Sequence, residues 1–221
     1  MTKKTDNYSK IKDNQNNENE MLRTQILERM LTYVPFDGWS DKALKASCAD
    51  LNIKPEYCLT LFPLGMEDIL LHFGKWADAQ MLHKLDAIDK TKLKIRDRIT
   101  IAVRSRFESL APHREAVRRG SAFLANPLHL SAGMKMLYKT VDDIWYWAGD
   151  QSTDFNFYTK RGLLAGVYTS TLLYWLADES ESFSESWVFL GNRIDNVLKI
   201  GKTIQSMKDF CKDTNCFVFQ R

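Results

Sequence analysis

From Leu22 to Ile204 apolar residues return every three or four positions, and no segment alternates apolar with polar. A period near 3.6 lays side chains along one face of a helix, whereas a strand needs a period of two. Leu22, Ile26, Leu27, Met30, Leu31 and Val34 make one stripe, closed by Pro35 and an Asp37-Gly38 turn. Ile69, Phe73, Trp76, Ala77, Met81 and Leu85 make a second, and Ile95, Ile99, Ala102, Val103 and Leu110 a third. Phe183, Trp187, Leu190, Ile194, Val197, Gly201 and Ile204 step by four and three in turn, a seam that packs against other helices within the chain or across a dimer. Turn-formers are scarce, 10 Gly and 5 Pro in 221 residues, too few for a many-stranded sandwich. The pattern predicts an all-α bundle.

Lys and Arg number 31 against 28 Asp and Glu, a net charge of +3 that argues against a strongly electrostatic nucleic-acid binder. Residues 1–20 are polar and Asn-rich, and they read as a disordered tail because they cannot bury enough apolar surface to offset the entropy of ordering. They lack the apolar core of a secretory signal and the Arg of a transit peptide, which predicts a cytoplasmic protein. The longest apolar stretch, residues 162–177, falls short of the roughly 20 needed to cross a bilayer, and Thr169, Ser170 and Thr171 interrupt it. Cys48, Cys58, Cys211 and Cys216 form no CxxC pair and are expected as reduced thiols.

Residues 38–73 have the order of a helix-turn-helix: Ser40 as N-cap, a helix over 41–51, a turn at 52–54, a short helix opened by Pro55, and a long one from Met66. This order resembles the N-terminal region of TetR-family regulators. The chemistry points away from DNA, because the second short helix (PEYCLTLF) holds one acid and no base, where base edges and phosphates call for Arg, Lys, Asn or Gln. The expected division is a tail at 1–20, a helix-turn-helix-like subdomain at 21–75, a larger helical domain at 76–208 and a second tail at 209–221.

Between residues 90 and 119 stand ten Lys and Arg against three acids. That block reads as a solvated helix face or as a weak patch for anionic lipid headgroups. Asp142, Asp143, Asp150 and Asp154 cluster further on. No Glu stands three residues before any of the four histidines, and zinc spacings, phosphate loops and nucleophile elbows are missing. No catalytic, metal or cofactor residues are assigned. An enzyme reading would have to rest on Asp142, Asp143 and Asp150 as acid/base carboxylates.

Residues 141–174 are the most distinctive. Trp145, Tyr146, Trp147, Phe155, Phe157 and Tyr158 crowd a turn rich in acids, a composition suited to a patch with an apolar centre and a charged rim. Val141, Asp142, Asp143 and Trp145, then AGDQSTDFN over 148–156, then Tyr158, Thr159 and Arg161 resemble the ubiquinone (coenzyme Q) biosynthesis accessory family, that of the ninth Coq protein and its alphaproteobacterial relatives. Val34, Pro35, Gly38 and Trp39, the run ILLHF at 69–73, and Trp187, Phe189, Leu190, Asn192 and Arg193 extend the likeness over about residues 24–203.

The resemblance implies a TetR-like helical fold without DNA reading, a homodimer, and no catalysis by the chain itself. It implies an isoprenoid quinone or other long apolar lipid held in the larger helical domain, and a hydroxylase of ubiquinone biosynthesis as partner. Carried over by position, the partner patch comprises Asp142, Ile144, Trp147, Phe157, Tyr158 and Arg161. In the apolar helix, Gly162, Ala165, Gly166 and Ser170 leave space, and Leu164, Tyr168, Leu172 and Trp175 are the candidate lipid lining; close helix packing accounts for small residues equally well, and the resemblance favours a slot. The terminal Phe217, Val218 and Phe219 with Lys208 and Lys212 suit weak peripheral contact at the inner face of a membrane. The alternative is a TetR-type transcriptional regulator with a hydrophobic ligand pocket.

Overall fold

A computed structural model describes the backbone of residues 2–150 and 155–213 and the side chains of residues 14–150 and 157–199. Among the described residues there are nine α-helices, three single 3-10 turns and no strand, as the periodicity predicts. The helices are α1 (Thr2–Asp37), α2 (Asp41–Asp50), α3 (Pro55–Leu61), α4 (Met66–Leu85), α5 (Ile95–Leu110), α6 (Arg114–Leu124), α7 (Leu130–Ala148), α8 (Phe155–Ala177) and α9 (Ser184–Asp213). No helix among these residues is long and apolar enough to cross a membrane.

The chain forms two compact units, residues 1–88 with 105–140, and residues 89–104 with 141–221. The expected boundary near residue 75 lies inside α4, a helix unbroken from Met66 to Leu85. The backbone is helical from Thr2, where a disordered tail is expected. At the end of that segment Lys75 Nζ donates to Glu20 at 2.8 Å and the Tyr57 hydroxyl donates to Asn19 at 2.9 Å, polar anchors that an apolar count does not register. Of the expected C-terminal tail, residues 214–221 and the side chains of Lys208 and Lys212 lie outside the described residues.

In the first unit, α1 lays Ile26, Leu27, Met30, Leu31 and Val34 against Ala43 and Leu44 of α2 and the buried face of α4. Ser40 caps α2 as predicted, its side chain accepting from the Ala43 N–H at 3.3 Å. Trp39 packs at a tilt against Phe73 and donates to the Ala116 carbonyl at 2.9 Å. Gly120 lies under Trp39 and Leu70 so closely that a Cβ there would meet Leu70 at 2.9 Å. A buried ion pair, Arg106 Nε to Asp78 at 2.7 Å, is completed by the Thr140 hydroxyl at 2.9 Å.

The second unit has its core on the inward faces of α7, α8 and α9, with Val141, Ile144, Leu164, Tyr168, Trp175, Leu190 and Ile194 all buried. The joint between α8 and α9 is organised by Asp178, which accepts from the backbone N–H groups of Ser180 at 2.8 Å and Ser186 at 2.9 Å. Burial pushes the Asp178 carboxyl up, but the hydrogen bonds from Ser180 and Ser186 outweigh it and hold it at about 2.

Candidate functional site

The acid-rich aromatic corner lies between α7 and α8, and its frame begins with how α7 ends. Gly149 takes φ +92°, a conformation that L side chains avoid, while its N–H and that of Asp150 turn back to the carbonyls of Tyr146 and Trp145 at 3.1 and 3.0 Å. The carbonyls left over at the helix end attract cations. Arg98 donates to the Ala148 carbonyl at 2.8 Å, and Lys90 to that of Trp147 at 3.0 Å.

Arg161, on the first turns of α8, then joins the two helices. Its guanidinium meets Asp142 at 2.7 Å and Asp150 at 3.1 Å, and it lies over the Phe157 ring. Lys160 pairs with the other oxygen of Asp150 at 2.7 Å, and the Trp145 indole donates to the Lys160 carbonyl at 3.2 Å. Such a fork holds two carboxylates at fixed geometry in a way that a single ammonium cannot. The aspartates that look uncompensated in sequence are therefore paired: Asp142 and Asp150 share Arg161.

The six expected partner residues separate into two groups. Asp142, Phe157, Tyr158 and Arg161 come together, with Tyr158 68% exposed and packed edge-on against Phe157. Ile144 is fully buried and Trp147 nearly so, at odds with their expected place in a surface patch. Arg161 is also buried and acts as the brace. Tyr146, absent from the expected set, is 80% exposed. Its register could have revealed it, because Val141, Ile144 and Ala148 occupy the inward positions of α7 and leave 142, 143 and 146 facing out. Asp154 lies outside the described residues.

The candidate lipid lining follows one face of α8. Leu164, Tyr168 and Trp175 are buried and Leu172 is half-buried, with Trp175 packed on Phe183. Thr171 is buried on the same face, and among the described residues its hydroxyl meets no hydrogen-bond partner. The small residues lie elsewhere: Gly162 and Gly166 are exposed, and a Cβ on either would meet nothing within 4 Å. They lie on the outer side of α8 with the exposed Leu173, and Val188 is exposed on α9.

The cationic block of residues 90–119 is not a free patch. Besides Lys90 and Arg98, Arg96 pairs with Asp195 at 2.7 Å, Arg104 lies over Trp187, Arg106 is buried on Asp78, and Arg119 binds Glu115 and the Pro35 carbonyl. In the helix-turn-helix, α3 has the expected position after the turn at Asn52 and exposes Tyr57 and Leu59. Among the described residues no group of His, Cys, Asp and Glu is arranged to hold a metal ion.

The corner has relatives. Residues 130–201, which carry α7, the corner and most of the α8–α9 pair, match the COQ9 family model. The chain is similar to the mitochondrial ubiquinone biosynthesis protein COQ9 of rat, 33% identical over 196 residues that cover 86% of this chain and 62% of that protein. The human protein of the same name is 31% identical over 86% of this chain and 61% of its own length. The probable ubiquinone biosynthesis protein coq9 of Dictyostelium discoideum is 31% identical over 80% and 60%. The chain thus spans about three fifths of the length of these relatives. In fold it is similar to a TetR transcriptional regulator from Nitrosomonas europaea, with a TM-score of 0.66 over 80% of this chain and 98% of that one, at 18% identity. The α7–α8 corner therefore matches the COQ9 family model, and most of the chain is similar to proteins of that name, on a fold similar to that of a TetR regulator.

Proposed function

We propose that this chain is a non-catalytic accessory protein of ubiquinone biosynthesis. It holds an isoprenylated quinone intermediate in the α8 bundle and presents the polar head to a hydroxylase docked at the α7–α8 corner. The observation that carries this reading is the corner itself: two exposed tyrosines, Tyr146 and Tyr158, on a frame fixed by Arg161. Exposed aromatics on a rigid support lose little side-chain entropy on binding and are the common anchors of protein interfaces. The names of the relatives supply the pathway.

Taking a polyisoprenyl chain out of a bilayer costs about 0.8 kcal/mol per CH₂. The apolar face of Leu164, Tyr168, Leu172 and Trp175 would offset that cost, and the Thr171 hydroxyl offers a hydrogen bond to the head of the quinone. A second copy would pack on the outer sides of α8 and α9, where Gly162, Gly166, Leu173 and Val188 are exposed. The protein works peripherally, at the inner face of the membrane that holds the quinone. A regulator reading draws on fold alone, and α3 gives it no cation with which to grip DNA.

Native mass spectrometry of the full chain, purified from cells that make ubiquinone, tests the lipid half. A bound isoprenoid mass is expected, and a ligand-free protein that ignores quinone-bearing liposomes would overturn it. Capture of the pathway's hydroxylase by wild-type protein but not by Tyr158→Ala tests the partner half.

A further inference from the structure

We infer that Cys48 and Cys58 are a redox modification site of the dithiol–disulfide class, a crosslink that fixes α3 onto α2. Free thiols are expected from sequence, yet the structure bonds these two sulfurs to one another, with their Cα atoms 6.8 Å apart. Both residues are buried, Cys48 near the end of α2 and Cys58 in the middle of α3.

The crosslink matters because α3 is otherwise held mainly by Leu61, its C-cap Phe62 and the Tyr57–Asn19 hydrogen bond. It has seven residues, of which only Cys58 and Leu61 are buried, and its N-cap Lys54 makes no side-chain capping bond. A helix of this length does not persist by its own hydrogen bonds. Its approach is set by the turn, where Asn52 takes φ 55° and the Ile53 N–H returns to the Cys48 carbonyl at 2.8 Å. Closing a separation of ten residues shifts the folded–unfolded balance about a hundredfold in the chain-entropy picture.

The chemistry balances with a disulfide oxidant such as oxidised glutathione. One thiolate attacks the oxidant's disulfide and releases a glutathione thiol; the second cysteine then attacks the mixed disulfide and releases the other. The two cysteines lose two hydrogens and two electrons, and two glutathione thiols receive them. A dithiol reductant reverses the sequence. Because the sulfurs are buried, exchange requires α3 to lift locally, and the few contacts of this helix make that opening easier than it is for α4 or α8.

The test uses the full chain with Cys211→Ser and Cys216→Ser, so that one pair remains, equilibrated in mixtures of reduced and oxidised glutathione. In excess oxidant, Cys48 and Cys58 should resist alkylation in denaturant, and the mass should fall by two hydrogens. Reduction should speed amide exchange of residues 55–61 about tenfold or more and leave α8 unchanged. Cys48→Ala should show the fast exchange in both buffers. Alkylation of both cysteines after full oxidation, a bond between chains instead of within one, or identical exchange of 55–61 in the two states would overturn the inference. The reduced and oxidised forms of the two-cysteine protein decide the matter even where Cys48→Ala does not fold.

Discussion

The α2–α3 turn and the α7–α8 corner are both helix-turn-helix joints, and each has a residue of positive φ between its helices, Asn52 at 55° and Gly149 at 92°. They differ in what holds them and in what they show. The α2–α3 joint is fastened by apolar side chains and a pair of sulfurs, and its second helix has no Lys or Arg. The α7–α8 corner is fastened by cations: Arg98 and Lys90 at the end of α7, Arg161 and Lys160 on two aspartates. The α2–α3 joint thus has helix-turn-helix order with no cation on its second helix. In the other, charge is turned inward to build a support, and aromatic rings are left outside. A shared helical order therefore does not fix what a joint shows to solvent; its outward residues do.

The difference is broken most directly at Arg161. Arg161→Ala leaves Asp142 and the buried Asp150 short of a cation, and removing one partner of a buried pair typically costs about 3 kcal/mol. Urea unfolding should show that loss, with Arg161→Lys recovering only part because an ammonium cannot bridge both carboxylates. The matching change at the other joint, Lys45→Ala on the exposed side of α2, should move stability by less than about 0.5 kcal/mol. Equal losses at the two sites would mean that the corner is not held by charge.

Acid should separate the two units next. His72 is buried in the first unit, and burial holds its ring down to about 4, with Arg23 and Lys75 adding to the effect and Glu20 opposing it. His113, in the same unit, is lowered mainly by burial. Unfolded histidine titrates near 6.5, so between there and about 4 the unfolded chain binds protons that the folded one refuses. The contribution is fully present above pH 6.5 and is lost as the pH falls toward 4, on the order of 2 kcal/mol for His72. The second unit relies on Asp178, held at about 2, so its loss begins only below the ordinary carboxylate range near 4 and runs down to about 2. At pH 5, hydrogen exchange should therefore rise in α4 while α8 keeps its protection. Simultaneous loss in both units would show that these groups do not set acid stability.

The helices were legible because period is a local property: α2, α4 and α5 lie where the apolar spacing and Ser40 predict them. The disulfide was not, since a separation of ten residues matches no cysteine signature and only the return of the chain at Asn52 brings the sulfurs together. The corner was legible in composition and misread in direction. Carrying the patch over by position placed Ile144 and Trp147 in it, and both are buried, whereas the phase of α7 turns Tyr146 outward. The count of cations at 90–119 leaves out part of their pairing for a related reason, because Lys90 and Arg98 meet helix-end carbonyls and Arg96 and Arg106 distant aspartates that no local charge sum contains.

The smallest effect on folding should accompany the largest on binding. Tyr146→Ala and Tyr158→Ala remove side chains that are mostly in water, so each should change stability by about 0.5 kcal/mol or less. An aromatic anchor at the centre of an interface is worth about 2 kcal/mol when truncated, so each change should weaken capture of the hydroxylase roughly thirtyfold. Tyr57→Ala on α3, a tyrosine also exposed, is the matched control and should leave capture unchanged. Exposure alone cannot produce this asymmetry, because all three rings face solvent. It requires that Tyr146 and Tyr158 stand on a braced corner, and loosening that brace with Arg161→Lys should weaken capture while both tyrosines remain in place. Binding that survives Arg161→Lys but not Tyr158→Ala would keep the anchor and remove the brace from the account; binding indifferent to all of them would place the partner elsewhere on the chain.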